Sequence, residues 1–193
     1  MASDVVSFFI FIRRSIGLIV TPYTTMRKIS IESRWADTIW IGALSSIYFL
    51  ITNSVRFWGT GLFGALGLFI GTILFFSVLP ASGILQDKLK RMYKTWMYSL
   101  LPTLIWFYTT LLFYFVFPPP RTTSLLGQIF SVCYIAFSVS LLVWKMILVY
   151  LSIRFSLRVH LYRVIYYMLL YLSFSIPLWI YLYNSGISRI PFV

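Results

Sequence analysis

Five long apolar stretches govern what this chain can become. They run at about Ala36–Ser54, Trp58–Leu79, Thr95–Phe117, Leu125–Leu151 and Tyr162–Tyr183, and Lys145 is the only ionic side chain in the interior of any of them. About 20 apolar residues of helix cross the hydrocarbon core of a bilayer. No water is present there to satisfy backbone N–H and C=O groups, so a crossing segment closes its hydrogen bonds internally, as a helix does. The expected fold is all-α: a polytopic membrane helix bundle with five transmembrane helices. Composition agrees. Of the 193 residues, 60% are hydrophobic and 10% charged, whereas a soluble domain carries about 25% charged residues.

Local signals mark the ends of these stretches. Pro80 and Gly83 follow the second, and Pro118, Pro119 and Pro120 stop the third, because a helix cannot run through them. Asn184 and Gly186 follow the fifth. Trp35, Trp40, Trp58, Trp96, Tyr162, Trp179 and Tyr181 sit near expected ends, where amphipathic rings favour the headgroup level.

The basic residues give an orientation. Arg13, Arg14, Arg27, Lys28 and Arg34 precede the first span; Lys88, Lys90, Arg91 and Lys94 lie between the second and third; Arg154, Arg158 and Arg163 lie between the fourth and fifth. All twelve fall on one side, against Arg56, Arg121 and Arg189 on the other. Cytoplasmic connections carry the excess of bases, so the N-terminus is expected in the cytoplasm and the C-terminus across the membrane. The organisation follows: 1–34 a cytoplasmic segment, 35–184 the five-helix domain, 185–193 a short non-cytoplasmic tail. Within the first, Val5–Val20 is short for a span and carries Arg13 and Arg14 in its middle, which favours an amphipathic interfacial helix over a sixth crossing. Its apolar run precedes the Arg pair, the reverse of a secretory signal, so the segment is expected to be retained.

With 16 Lys and Arg against four acids the net charge is +12. Because these bases flank apolar spans, anionic lipid headgroups are the expected counter-charge and nucleic acid is not. The single cysteine, Cys133, and single histidine, His160, exclude an intramolecular disulfide and a His/Cys metal site within the chain. No nucleophile elbow or phosphate loop is present. Asp4, Glu32, Asp37 and Asp87 are the only acids, and none lies deep in a span. Intramembrane proton relays need such groups. The chain is expected to be no enzyme and to carry no cofactor.

Some residues invite a functional reading. Gly61, Gly64, Gly67 and Gly71 lie on one face of the second span, and Gly42 and Ser46 share the spacing in the first. Small residues let membrane helices approach closely, so these are expected to pack the first two spans, with docking of another chain as the alternative. Pro102 and Pro177 lie inside the third and fifth spans, where each removes a helix hydrogen bond and is expected to bend the helix. Lys145 lies near the cytoplasmic end of the fourth span, where its stem can snorkel to the headgroups; a partner or lipid-phosphate contact is the alternative. Arg13, Arg14, Lys88, Lys90, Arg91, Lys94, Lys145, Arg154, Arg158 and Arg163 form the expected lipid- or partner-contacting set.

Two segments resemble a known family. LIVTPYTTMRKIS (Leu18–Ser30) has a proline, a hydroxyl pair and a basic–Ile step before the first span; TWMYSLLPTLIWF (Thr95–Phe107) places Tyr98 and Pro102 after a basic loop. These, with Trp144 before a basic loop, resemble the prokaryotic branch of the Yip family, membrane proteins named for interacting with Ypt/Rab GTPases. The resemblance implies a cytoplasmic N-terminus, five helices, a non-enzymatic scaffold and a prokaryotic plasma membrane. The function expected is a non-catalytic membrane scaffold or accessory subunit of a larger assembly, with other integral membrane proteins as partners. The alternative is a transport component, a permease or channel subunit forming a path with partner chains and lined by Thr103, Thr109, Thr110, Ser138 and Ser140.

Overall fold

The computed structural model describes residues 2–32, 36–56, 83–116 and 124–184. Among them the chain is helical throughout, with no strand. Seven helices are described: α1 (Ala2–Val20), α2 (Pro22–Ile31), α3 (Ala36–Arg56), α4 (Gly83–Ser99), α5 (Leu101–Val116), α6 (Leu125–Leu157) and α7 (Leu161–Asn184). The second expected span, with Gly61, Gly64, Gly67 and Gly71, lies outside the described residues, as does the tail 185–193.

Residues 5–20 form a helix as expected, and a second helix follows at once. Thr21 leaves helical geometry between α1 and α2, and Pro22 opens α2, a position where its missing N–H costs nothing. Gly17 lets the pair approach: a Cβ there would lie 2.8 Å from Thr25 Oγ1. Arg14 reaches from α1 to the Glu32 carboxylate just past α2 and closes the hairpin with an ion pair.

The third expected span is not one continuous helix. An apolar helical stretch runs over Lys90–Phe113 but breaks at the Leu100 turn between α4 and α5. Pro102 explains the break, since it has no N–H for the Tyr98 carbonyl. Pro177, by contrast, sits inside an α7 that continues on both sides of it.

Helix α6 spans 33 residues, about 50 Å at 1.5 Å per residue, against roughly 30 Å of hydrocarbon. Ser124 caps its start by accepting from the Gly127 N–H at 3.1 Å. It ends at Arg158, which adopts the left-handed conformation at φ 51°. The helix outruns the apolar sequence because its last turns are held by protein: Ser152, Ile153 and Ser156 are buried, mainly in the extensive α4–α6 contact.

Helices α5 and α6 run antiparallel. Trp106 Nε1 donates to Ser138 Oγ at 3.0 Å, the Thr110 and Tyr134 hydroxyls meet, and the Phe113 and Phe130 rings sit edge-on at 4.9 Å. Helix α3 joins through the Tyr48–Phe107 ring stack at 4.3 Å and a Tyr108 hydroxyl bond to the Leu44 carbonyl at 2.8 Å. One apolar cluster, including Phe11, Leu18, Met26, Ile41, Tyr98, Phe107 and Leu148, unites α1 to α6; Val149, Ile153 and Val164 bring in α7.

The outer surface is apolar where the first half of α6 is concerned. Leu125, Leu126, Ile129, Val132, Ile135 and Val139 are all exposed, as are Ile165, Leu169, Leu170 and Ile176 on α7. Soluble monomers rarely expose contiguous apolar surface of this kind. Two helical stretches, Lys90–Phe113 and Leu125–Leu157, are long and apolar enough to cross a membrane; Ile39–Tyr48 in α3 is apolar but shorter.

Candidate functional site

The helical period of 3.6 residues puts Tyr23, Arg27, Ser30 and Ile31 on adjoining positions of α2. The last turn of α6 brings Arg154 and Phe155 against them, and the left-handed Arg158 turns the chain on to Val159. These eight residues line a cleft of about 490 Å³. Arg154 donates to the Tyr150 hydroxyl at 3.1 Å and lies 5.8 Å over the Tyr23 ring. Phe155 meets Tyr23 edge-on at 4.9 Å. Ser30 donates back to the Arg27 carbonyl at 2.8 Å. Among the described residues no carboxylate lines the cleft, and the nearest acid in sequence, Glu32, is held by Arg14.

A second polar group lies inside the bundle. Thr95 on α4 meets Ser152 and Ser156 on α6, with Oγ separations of 2.8 and 2.7 Å and all three side chains buried. Thr95 gives its proton back to the Arg91 and Met92 carbonyls. A hydroxyl has one proton and two acceptor sites, so Thr95 is fully used. Lys94 and Lys145 are buried nearby in sequence, at 7% and 5% exposure.

Those two lysines are buried rather than on the expected contact surface. Helix α6 continues past Lys145 to Leu157, and the Lys145 side chain is enclosed by protein. Lys94 likewise belongs to the interior because α4 presents it and Thr95 to the core. The other contact residues are placed as follows. Arg13, Lys88, Lys90, Arg154, Arg158 and Arg163 are exposed; Arg14 and Arg91 are partly covered. Only Arg154 and Arg158, joined by Arg27, converge on one cleft. Sequence reasoning named Arg27 only as a topological charge, and missed Tyr23; the i, i+4 spacing from Tyr23 to Arg27 was the available signal.

Gly42 is partly buried on α3, and Ser46 is exposed, its hydroxyl donating to the Gly42 carbonyl at 2.9 Å. Their expected glycine partners lie outside the described residues. Of the hydroxyls considered for a transport path, Thr103 is buried, and Thr109, Thr110, Ser138 and Ser140 donate to the Ile105, Trp106, Tyr134 and Ala136 carbonyls of their own helices, while Thr110 and Ser138 also bond across α5 and α6. His160 and Asp87 are exposed, and among the described residues no group of His, Cys, Asp and Glu could hold a metal ion.

No protein-family profile, curated protein or solved structure matches the chain.

Proposed function

We propose that this protein is a non-catalytic integral membrane scaffold or accessory subunit that crosses the bilayer five times. Its N-terminus lies in the cytoplasm and its C-terminus across the membrane, in a prokaryotic plasma membrane. The observation that carries the reading is the exposed apolar half of α6, where Leu125, Leu126, Ile129, Val132, Ile135 and Val139 face outward. Lipid or neighbouring membrane helices are the surroundings that suit such a face. Basic residues at the opposite end of α6, Arg154 and Arg158, suit a headgroup layer.

The test is extraction of native membranes in a mild detergent, followed by mass spectrometry of co-purifying proteins. The reading expects a chain that needs detergent and leaves the membrane with integral membrane partners. A chain that stays dispersed without detergent ends the membrane reading. One that is extracted alone and monomeric ends the accessory-subunit reading.

A further inference from the structure

We propose that the cleft between α2 and the end of α6 binds the phosphate of an anionic phospholipid headgroup. Arg27, Arg154 and Arg158 line one space of about 490 Å³, and no carboxylate of the described residues is in its lining. Like charges so gathered repel, and an anion between them relieves the repulsion. Guanidinium forks match phosphate oxygens in bidentate geometry. Arg154 is already aimed by Tyr150 and Tyr23, so less freedom is lost when it binds.

Arg158 adds a second, independent point. It occupies a left-handed position, φ 51°, that ordinarily goes to glycine or asparagine at a helix end. A long basic side chain is kept there against backbone preference, and it lines the cleft. Such outliers concentrate at ligand sites.

The remaining lining selects the source of the phosphate. Ile31, Phe155 and Val159 form an apolar side to the same cleft. A headgroup with its glycerol and acyl stem can use that side, whereas inorganic phosphate cannot. The inference rests on the membrane reading above, since it needs the end of α6 at headgroup level.

The experiment uses the full chain in detergent micelles, titrated with phosphatidylglycerol, phosphatidylcholine or inorganic phosphate, and read by native mass spectrometry and thermal unfolding. Phosphatidylglycerol is expected to bind and to raise Tm, with phosphatidylcholine much weaker. Arg27→Gln with Arg158→Gln, both exposed, should weaken phosphatidylglycerol binding roughly thirtyfold, the loss of two near-surface bases. Lys28→Gln, which removes an exposed base beside Arg27 that does not line the cleft, should change it less than about twofold, as screened surface charges do, against roughly fivefold for Arg27→Gln alone. Should the glutamine pair fail to fold, Arg27→Lys with Arg158→Lys keeps the charge and removes the forks, and an intermediate weakening is then expected.

Unchanged phosphatidylglycerol binding in the arginine variants overturns the proposal, as does an equal loss in the lysine control. Equal protection by inorganic phosphate overturns the lipid source. A chain that requires detergent yet does not discriminate between the two lipids sinks this inference alone; one that needs no detergent sinks the membrane reading as well.

Discussion

The Ser152 hydroxyl donates to Thr95 Oγ1 across 2.8 Å, with both side chains sealed from solvent. The bond fixes the register of α6 against α4, since a slide of one residue on either helix would break it. Thr95→Val keeps the shape and removes the acceptor. The two serines can partly recover by turning to carbonyls of their own helix, so the cost should be about 1 kcal/mol. That is a drop in Tm of roughly 2–4 °C, measured by thermal unfolding in detergent. Thr95→Val combined with Ser152→Ala and Ser156→Ala should lose less than the sum of the separate changes, because no hydroxyl is left without a partner. Strict additivity would mean the three do not act as one group.

The hairpin of α1 and α2 makes a second prediction. A Cβ on Gly17 would sit 2.8 Å from Thr25 Oγ1 and 3.2 Å from its Cγ2. Both branches of the threonine lie on the incoming methyl, so rotating the side chain exchanges one collision for another. Gly17→Ala should therefore lower Tm, in keeping with overpacking costs of about 1–3 kcal/mol. Adding Thr25→Ala should remove the collision and expose the helix preference of alanine over glycine, about 1 kcal/mol. The double variant is expected to melt at or above the wild-type temperature. A single Gly17→Ala that stabilises the chain would show that the two helices lie farther apart.

Much of this architecture was legible because local chemistry set it. The helix over 5–20 follows from its apolar period, and the break before Pro102 from a missing N–H. What escaped depended on partners remote in sequence. Thr95, Ser152 and Ser156 are ordinary hydroxyls until two helices align them. The burial of Lys145 is not legible either, because apolar content alone puts the span end at Leu151, while packing against α4 carries the helix to Leu157. Helix α2 was read as part of a cytoplasmic segment, and its Tyr23 and Arg27 gain meaning only beside Arg154. The cleft is a product of two helix ends meeting, which no single stretch of sequence displays.

Cys133 tests the proposed lipid-facing surface directly. It is the only cysteine and is exposed on α6, eight residues beyond Leu125 and hence about 12 Å along the helix from its start. Its exposed neighbours Val132 and Ile135 are apolar. A polar, water-soluble reagent does not enter hydrocarbon. In native membranes Cys133 should resist a water-soluble maleimide, and it should react after the bilayer is dissolved and the chain unfolded. Rapid labelling in intact membranes, followed by mass shift on a gel, would place this face in water.

Lys145 offers the sharpest test of register. Stepping seven residues along α6 from Ser138, and seven back along the chain from Trp106, its bonded partner, through the start of α5 to the end of α4, pairs Lys145 with Ser99. The same step back from Ser152, bonded to Thr95, pairs it with Pro102. Both routes set Lys145 level with the Leu100 turn, where Pro102 has no N–H to give the Tyr98 carbonyl. A broken helix presents carbonyl oxygens there, and these favour a cation and disfavour an anion. Lys145→Met should cost modestly, because losing hydrogen bonds is offset by no longer burying a charge. Lys145→Glu should be worse by about 2–3 kcal/mol or more, since it places a carboxylate against those oxygens. The readouts are Tm in detergent and the yield of folded chain. If both substitutions lower Tm equally, the carbonyls of the break do not face position 145, and the alignment of α4 and α5 against α6 must be shifted.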